Sequence, residues 1–312
     1  MNRYAFVLRR PLQLLPVLVG ISFVTFVLAQ LTPGDPVRIM LGPRATDAAI
    51  AAVRARYGLD QPILVQYVYY MRNLLRADFG QSLQFRAPVL QVILERLAPT
   101  ALLLAYGLAM SVLLTLVLAV AAARSRGRWI DQAVRLFCVG ALGLPAFWLG
   151  LMLIILFSLR LRWFPVAGLG SSLGEDLWYL FLPALAITIG VTPILTRNLR
   201  ATLISQMDAD YAVAGRSKGL SERNIFFRHV FWNSLLPTVN LAGVVVSFLI
   251  GGTVVIENVF NIPGLGKLLI RAVLVRDYYV VQADTLILAV GIVITNLIVD
   301  ILTVALDPRV RL

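Results

Sequence analysis

Six long apolar stretches, at roughly 11–31, 98–123, 136–159, 177–196, 235–256 and 280–306, constrain this chain more than any other feature of its sequence. About 20 apolar residues in helical form cross the hydrocarbon core of a bilayer. Lipid offers a backbone no hydrogen-bond partners, so a spanning segment must satisfy its own, as a helix does. The expected fold class is therefore an all-α integral membrane protein with six transmembrane helices. Pro16, Pro145, Pro183 and Pro193 fall within these stretches, where neighbouring helices can accommodate them. Composition points the same way. The chain is 59% hydrophobic and 14% charged, against about 45–50% apolar and about 25% charged in soluble domains. Mean hydropathy is +0.84. The apolar surplus must face lipid, which excludes an ordinary cytosolic enzyme. Arg3, Arg9 and Arg10 precede the first stretch as they would in a signal peptide. Its apolar run is longer than a signal core, and no small-x-small cleavage site closes it near Gln30-Leu31, so it reads as an uncleaved first helix.

The formal net charge is +12, from 28 Lys+Arg against 16 Asp+Glu, and every basic residue except Lys218 and Lys267 is Arg. In a soluble protein that balance points to nucleic acid. Between membrane spans it sets topology and meets anionic headgroups, so lipid is the expected partner and nucleic acid is not. With the N-terminus inside, the inner segments 1–10, 124–135, 197–234 and 307–312 hold 15 Lys/Arg in 66 residues. The outer segments 32–97, 160–176 and 257–279 hold 13 in 106. The positive-inside rule then places both termini in the cytoplasm. The single Cys138 leaves no material for a disulfide framework or thiolate cluster. The lone His229 leaves little for a histidine metal site or a Ser-His-Asp triad. No catalytic residue and no metal ligand is expected.

Two segments between spans are too long to be mere connectors. Residues 32–97 alternate turn signals (Pro33-Gly34-Asp35-Pro36, Gly42-Pro43) with amphipathic stretches around 46–57 and 62–77, which predicts a small folded outer domain. Residues 197–234 are polar and cationic, with helical periodicity broken at Lys218-Gly219-Leu220-Ser221. Ser221 is suited to cap a second helix, since its hydroxyl can accept orphan N–H groups of the first turn. Small residues at Ala212, Ala214, Gly215 and Ser217 leave a smooth face for close packing, and Arg and Lys flank the glycine turn. There they can meet carboxylates on a soluble partner. The plainer alternative is a cationic interfacial helix serving topology alone.

Ionisable groups inside apolar spans are functional candidates. Asp300 lies on the last span with Asn296 one turn earlier on the same face. It either serves a proton pathway or pairs with an Arg or backbone donor near the inner interface. Glu257 and Asp284 fall near the outer interface, where a carboxylate costs little. Gly243, Gly251 and Gly252 on the fifth span permit close helix approach, for packing or gating. Tyr69-Tyr70 and Tyr278-Tyr279 read as interfacial or packing pairs. Pro263-Gly264-Leu265-Gly266-Lys267 has the look of a phosphate loop, but Asn261 and Leu268 break the required pattern at both ends. ATP hydrolysis, if it drives this protein, belongs to another chain.

The run Asp210-Tyr211-Ala212-Val213-Ala214-Gly215-Arg216-Ser217-Lys218-Gly219-Leu220-Ser221-Glu222-Arg223, followed by Arg228-His229-Val230-Phe231-Trp232-Asn233-Ser234-Leu235-Leu236-Pro237, resembles the cytoplasmic coupling loop of ABC importer membrane subunits. More narrowly it resembles the branch that imports dipeptides, oligopeptides, glutathione and nickel. Further marks stand in the same order: Pro33-Gly34-Asp35-Pro36, Gly58-Leu59-Asp60-Gln61-Pro62, Asp78-Phe79-Gly80-Gln81-Ser82-Leu83 and Pro145-Ala146-Phe147-Trp148. Later come Glu257-Asn258-Val259-Phe260, Pro263-Gly264-Leu265-Gly266, Arg276-Asp277-Tyr278 and Asp307-Pro308-Arg309. The resemblance covers essentially the whole chain. Val213-Ala214-Gly215 replaces the family's Glu-Ala-Ala opening, Trp232 a common proline, and Ile262 a common Trp.

The resemblance implies a type I ABC importer permease fold in a bacterial or archaeal cytoplasmic membrane. Residues 1–31 would be the cytoplasmic N-terminus and first helix, 32–97 an extracytoplasmic domain, 98–306 the permease core with coupling loop 197–234, and 307–312 a cytoplasmic tail. It implies a transport subunit without cofactor of its own, ATP and Mg being bound by two cytoplasmic ATPase subunits. A second, homologous permease subunit and an extracytoplasmic solute-binding protein complete the assembly. Gly215, Arg216, Lys218, Gly219, Leu220, Glu222 and Arg223 would dock the ATPase, and Gly243, Gly251, Gly252 and Asp300 would serve gating or packing. Small peptides are the expected cargo. Glutathione, nickel or a metal–chelator complex is the alternative within the class, and a proton-coupled secondary carrier using Asp300 the alternative outside it.

Overall fold

A computed structural model describes residues 3–31, 45–57, 60–82 and 84–306. The motifs at 33–36, 42–43, 58–59, 83 and 307–309, and the tail 307–312, lie outside the described residues. The described chain is helical, with helices α1 (Arg3–Leu31), α2 (Asp47–Tyr57), α3 (Ile63–Leu74), α4 (Val89–Arg124), α5 (Trp129–Leu142) and α6 (Ala146–Leu153). After α6 a π-helical stretch runs through Ile154–Arg160. Then come α7 (Leu173–Tyr179), α8 (Phe181–Met207), α9 (Asp210–Ser217), α10 (Glu222–Ile225) with a π-turn at Phe226–Val230, α11 (Phe231–Val259), α12 (Leu265–Val275) and α13 (Tyr278–Leu306).

Four of the six apolar stretches each fall within a single helix, while the third is spread over α5, α6 and the π-helical stretch and the fourth over α7 and α8. Four helical segments are long and apolar enough to cross a membrane: α4, α8, α10 continued into α11, and α13. The number is five if α5 and α6 count as one span, and α1 carries a shorter apolar stretch at Leu15–Leu28. The third stretch departs from a simple span, because α5 and α6 bend by 103°. Pro145 is the reason. It stands at the N-cap of α6 with extended backbone, and its ring disfavours helical geometry at Leu144. Pro99, Pro193 and Pro237, by contrast, sit inside continuous helices. The fourth stretch is also displaced. Its helix begins at Phe181, after the separate short helix α7, and continues to Met207, so the first third of the expected inner segment belongs to α8.

The chain divides into two compact units, one made of 1–98 with 264–291 and the other of 99–263 with 292–312. In the first unit α3 packs on α1 through aromatic contacts. The Phe23 ring stands edge-on to Tyr67 at 5.2 Å and Phe26 stacks on Tyr70 at 5.6 Å, while Ser22 Oγ and Tyr67 OH share a 2.8 Å hydrogen bond. Val89, Val92 and Ile93 form a core with Leu265, Leu268, Ala272, Val280 and Ala283. In the second unit α8 is central and packs against α5, α6 and α11. Its middle carries the main core with Leu103, Leu153, Val245, Ile256 and Phe260.

Candidate functional site

The segment between α8 and α11 is built as a hook. Helix α8 ends at Asp208, and α9 starts after the extended residue Ala209. Lys218 closes α9, and Gly219 takes a left-handed φ of +76° to reverse the chain. Leu220 N–H then donates to the Gly215 carbonyl at 3.1 Å, the Schellman-type closure of a helix end. Ser221 caps α10, its hydroxyl accepting from Asn224 N–H at 3.4 Å. The following π-turn is wide enough to bring both Phe226 and Val230 inward while Phe227, Arg228 and His229 stay exposed.

Close packing holds the two arms together. Ala212 and Gly215 are buried on α9, and a Cβ on Gly215 would stand 3.3 Å from Ile225 side-chain atoms. Ala212, Ile225, Phe226 and Val230 join Ala119, Ala123, Leu199 and Leu203 in one core, so the hook is seated on α4 and α8. Arg216 Nε donates to Glu222 Oε1 at 2.8 Å and its Nη2 to the Met207 carbonyl at 3.2 Å. The hydrogen bond to Glu222 holds the Arg216 guanidinium above its usual pKa. Arg124 lies over the Phe226 and Phe227 rings at 5.6 and 6.0 Å, within cation–π range.

The loop before α5 is pinned to the same end of α8. Asp131, 1% exposed, accepts from Arg200 Nε at 2.6 Å and Nη2 at 2.7 Å and from Gly127 N–H at 3.0 Å. Arg126 pairs with Asp208 at 2.8 Å on the surface. Sequence reasoning passed over Asp131 and Arg200. The one available signal was an acid in the first turn of α5, a position a helix N-terminus favours, and it did not reveal Arg200.

The predicted docking residues therefore divide. Gly215 faces inward, Arg216 and Glu222 brace the turn, and Lys218, Gly219, Leu220 and Arg223 are exposed with Tyr211, Val213, Phe227 and Arg228. Together these make an exposed surface that is both apolar and cationic. The candidates on the fifth span also divide. A Cβ on Gly243 would stand 2.7 Å from Val299 Cγ2, whereas Gly251 and Gly252 face open space. Asp300 is half-buried on α13, and Asn296 accepts from Ser247 Oγ at 3.4 Å.

Glu257 and Asp284 depart from the expectation of cheap interfacial carboxylates, since both are fully buried. Glu257 accepts a 2.6 Å hydrogen bond from Thr100. Two motifs read separately prove to be one structure in the first unit. Asp277 accepts from Ser82 Oγ at 2.6 Å and Gln84 N–H at 3.2 Å, and the Tyr279 ring lies 2.9 Å from where a Gly80 Cβ would stand. Gly80 has a φ of +81°, so both conformation and space require glycine there. Among the described residues no group of three or more His, Cys, Asp or Glu side chains is placed to hold a metal.

Long apolar helices joined by a seated polar hook define a multi-pass helical membrane protein. Residues 111–312 match the family described as "Binding-protein-dependent transport system inner membrane component", and residues 3–105 match the N-terminal component of the same systems. The chain belongs to that family and is a permease subunit of the ABC importer class, a multi-pass protein of a bacterial inner membrane. It is 38% identical over 307 residues to the glutathione transport system permease protein GsiC of Salmonella choleraesuis (strain SC-B67), with 98% of each chain covered. To the protein of the same name from Escherichia coli (strain K12) it is 36% identical over 307 residues, again with 98% of each covered. A solved structure described as an amino acid ABC transporter with histidines superposes with a TM-score of 0.48 at 16% identity, covering 70% of this chain and 94% of that one.

Proposed function

We propose that the chain is the six-span permease subunit of an ATP-driven importer of small peptides, with glutathione the foremost cargo. Both relatives named above carry glutathione in their names, and glutathione is itself a peptide of the expected size. Both termini lie in the cytoplasm, and residues 32–97 lie outside with 160–176 and 257–279. A second homologous permease subunit completes the pathway, a solute-binding protein delivers cargo, and two cytoplasmic ATPase subunits bind ATP and Mg.

The observation that carries this reading is the hook itself, continuous at its two ends with α8 and α11. A push on its exposed face is delivered into the core of the second unit. Lys218, Gly219, Leu220 and Arg223 meet the ATPase. Gly215 lets the arms close, and the Arg216–Glu222 pair keeps the turn rigid. ATP closes the ATPase pair, the hooks follow, and the cavity turns outward; hydrolysis resets it.

The test is uptake by proteoliposomes containing the complete transporter. Gly219→Val places a β-branched residue at φ +76°, where a left-handed backbone costs roughly 1–2 kcal/mol. The variant is expected to insert and assemble while ATP hydrolysis no longer drives uptake; wild-type uptake would sink the docking role. Labelled glutathione is expected to enter ahead of a dipeptide or Ni(II). Transport by this chain alone, without ATP and lost in Asp300→Asn, would replace the importer with a secondary carrier.

A further inference from the structure

We infer that α4 and α8 enclose bound water along a seam of hydroxyl and small side chains in the second unit. The register of the seam follows from contacts at two places. Thr188 Oγ1 lies 3.3 Å from the Gly107 carbonyl, and a Cβ on Gly107 would stand 3.0 Å from Ile187. Further along, Ala119 and Ala123 share a core with Leu199 and Leu203. Sequence numbers rise together at both places, so the helices run parallel with Gly107, Ser111, Thr115 and Ala119 on one side. On α8, Ala184, Thr188, Thr192 and Thr196 also follow at four-residue steps and share the helix face that Thr188 turns to Gly107.

Two of these hydroxyls satisfy themselves locally. Ser111 donates to the Gly107 carbonyl at 2.7 Å, and Thr188 to the Ala184 carbonyl at 2.8 Å. Three do not. The hydroxyls of Thr115, Thr192 and Thr196 are fully buried, in residues 2%, 0% and 1% exposed, and have no hydrogen-bond partner among the described residues. Pro193, between the last two, has no N–H for the Ile189 carbonyl one turn earlier.

A buried hydroxyl left unbonded bears its full desolvation penalty. Three such hydroxyls, one on α4 and two a turn apart on α8, need a common explanation. Buried water supplies it, because such waters sit where several polar groups lack partners. Ordered water also serves freed backbone groups in membrane helices. Helix α8 leads through Asp208 and Ala209 directly into the hook. A hydrated seam lets α8 shift against α4 by exchanging water-mediated bonds instead of breaking direct ones. The inference stands whatever the cargo.

Synchrotron X-ray footprinting of the purified chain in detergent tests it, since hydroxyl radicals formed from bound water oxidise adjacent side chains. Val191 and Leu195, buried next to Thr192 and Thr196, are expected to be modified several-fold faster than the buried Leu199 and Leu203, an excess beyond the few per cent by which their exposures differ. The excess should vanish in Thr115→Val/Thr192→Val/Thr196→Val. No excess in the wild type, or an excess unchanged in the triple variant, overturns the proposal. Single Thr→Val variants give a second reading that holds even where the triple variant does not fold. Removing a water-bonded hydroxyl lowers the thermal midpoint, whereas removing an unbonded one in a dry seam leaves it unchanged or raises it, and that second outcome also overturns the proposal.

Discussion

Asp131 is a buried charge that ties two segments of the second unit together. Its carboxylate is buried and bonded to both forks of Arg200 and to the Gly127 amide. Removing one member of such a pair leaves the other desolvated without its counter-charge. Asp131→Ala is expected to destabilise the protein by about 3 kcal/mol, read as a lowered thermal midpoint and as faster proteolysis at Arg126–Arg128. Glu175 illustrates the exposed case. Its Oε2 accepts from Ser171 N–H and Ser171 Oγ, both at 2.7 Å, and these bonds, the backbone one first, hold its carboxyl below the usual range. A depressed carboxyl stabilises its loop above the ordinary glutamate value of about 4.3. That stabilisation is lost as pH falls through the lower folded value. The protection factor of the Ser171 amide should therefore be flat at neutral pH and fall only in acid below that range.

At the scale of helices, local pattern was a good guide wherever a single element decided the outcome. The apolar stretches, the reversal at Gly219 and the cap at Ser221 were readable because each depends on a few adjacent residues. The bend between α5 and α6 was less so, although its cause, Pro145, was in view. A proline inside an apolar run can be absorbed, as at Pro193, or can break the helix, and neighbouring helices decide which. The glycines of α11 separate in the same way. Gly243 packs close to Val299, while a Cβ on Gly251 or Gly252 would meet nothing within 4 Å among the described residues. Gly243→Val is expected to cost about 1–3 kcal/mol by overpacking, and Gly251→Val little, when thermal midpoints of the purified chain are compared. A large loss at Gly251 in the isolated chain would contradict its open surroundings.

At the scale of the molecule, the proposed topology has a direct test. Cys138 is buried, so one introduced thiol reports on one place. Ser217→Cys on the hook should react with a membrane-impermeant maleimide only in inside-out vesicles, and Val166→Cys only in right-side-out ones. Both positions are exposed, and the reversed pattern would invert the assigned orientation.

Helices, the hook and membership of a transport family were determined by the sequence itself. Hydropathy over about 20 residues, a glycine turn and a serine cap are short-range properties that a linear chain states openly. The partners that hold those pieces were decided only by the tertiary structure. Arg200 meets Asp131 from 69 residues away, Thr100 meets Glu257 from 157, and Ser82 meets Asp277 from 195. Glu257 shows the physical reason. From its position it is a carboxylate at the end of a span, free to reach water, and only the packing of α4 beside α11 removes that water and supplies the Thr100 hydroxyl in its place.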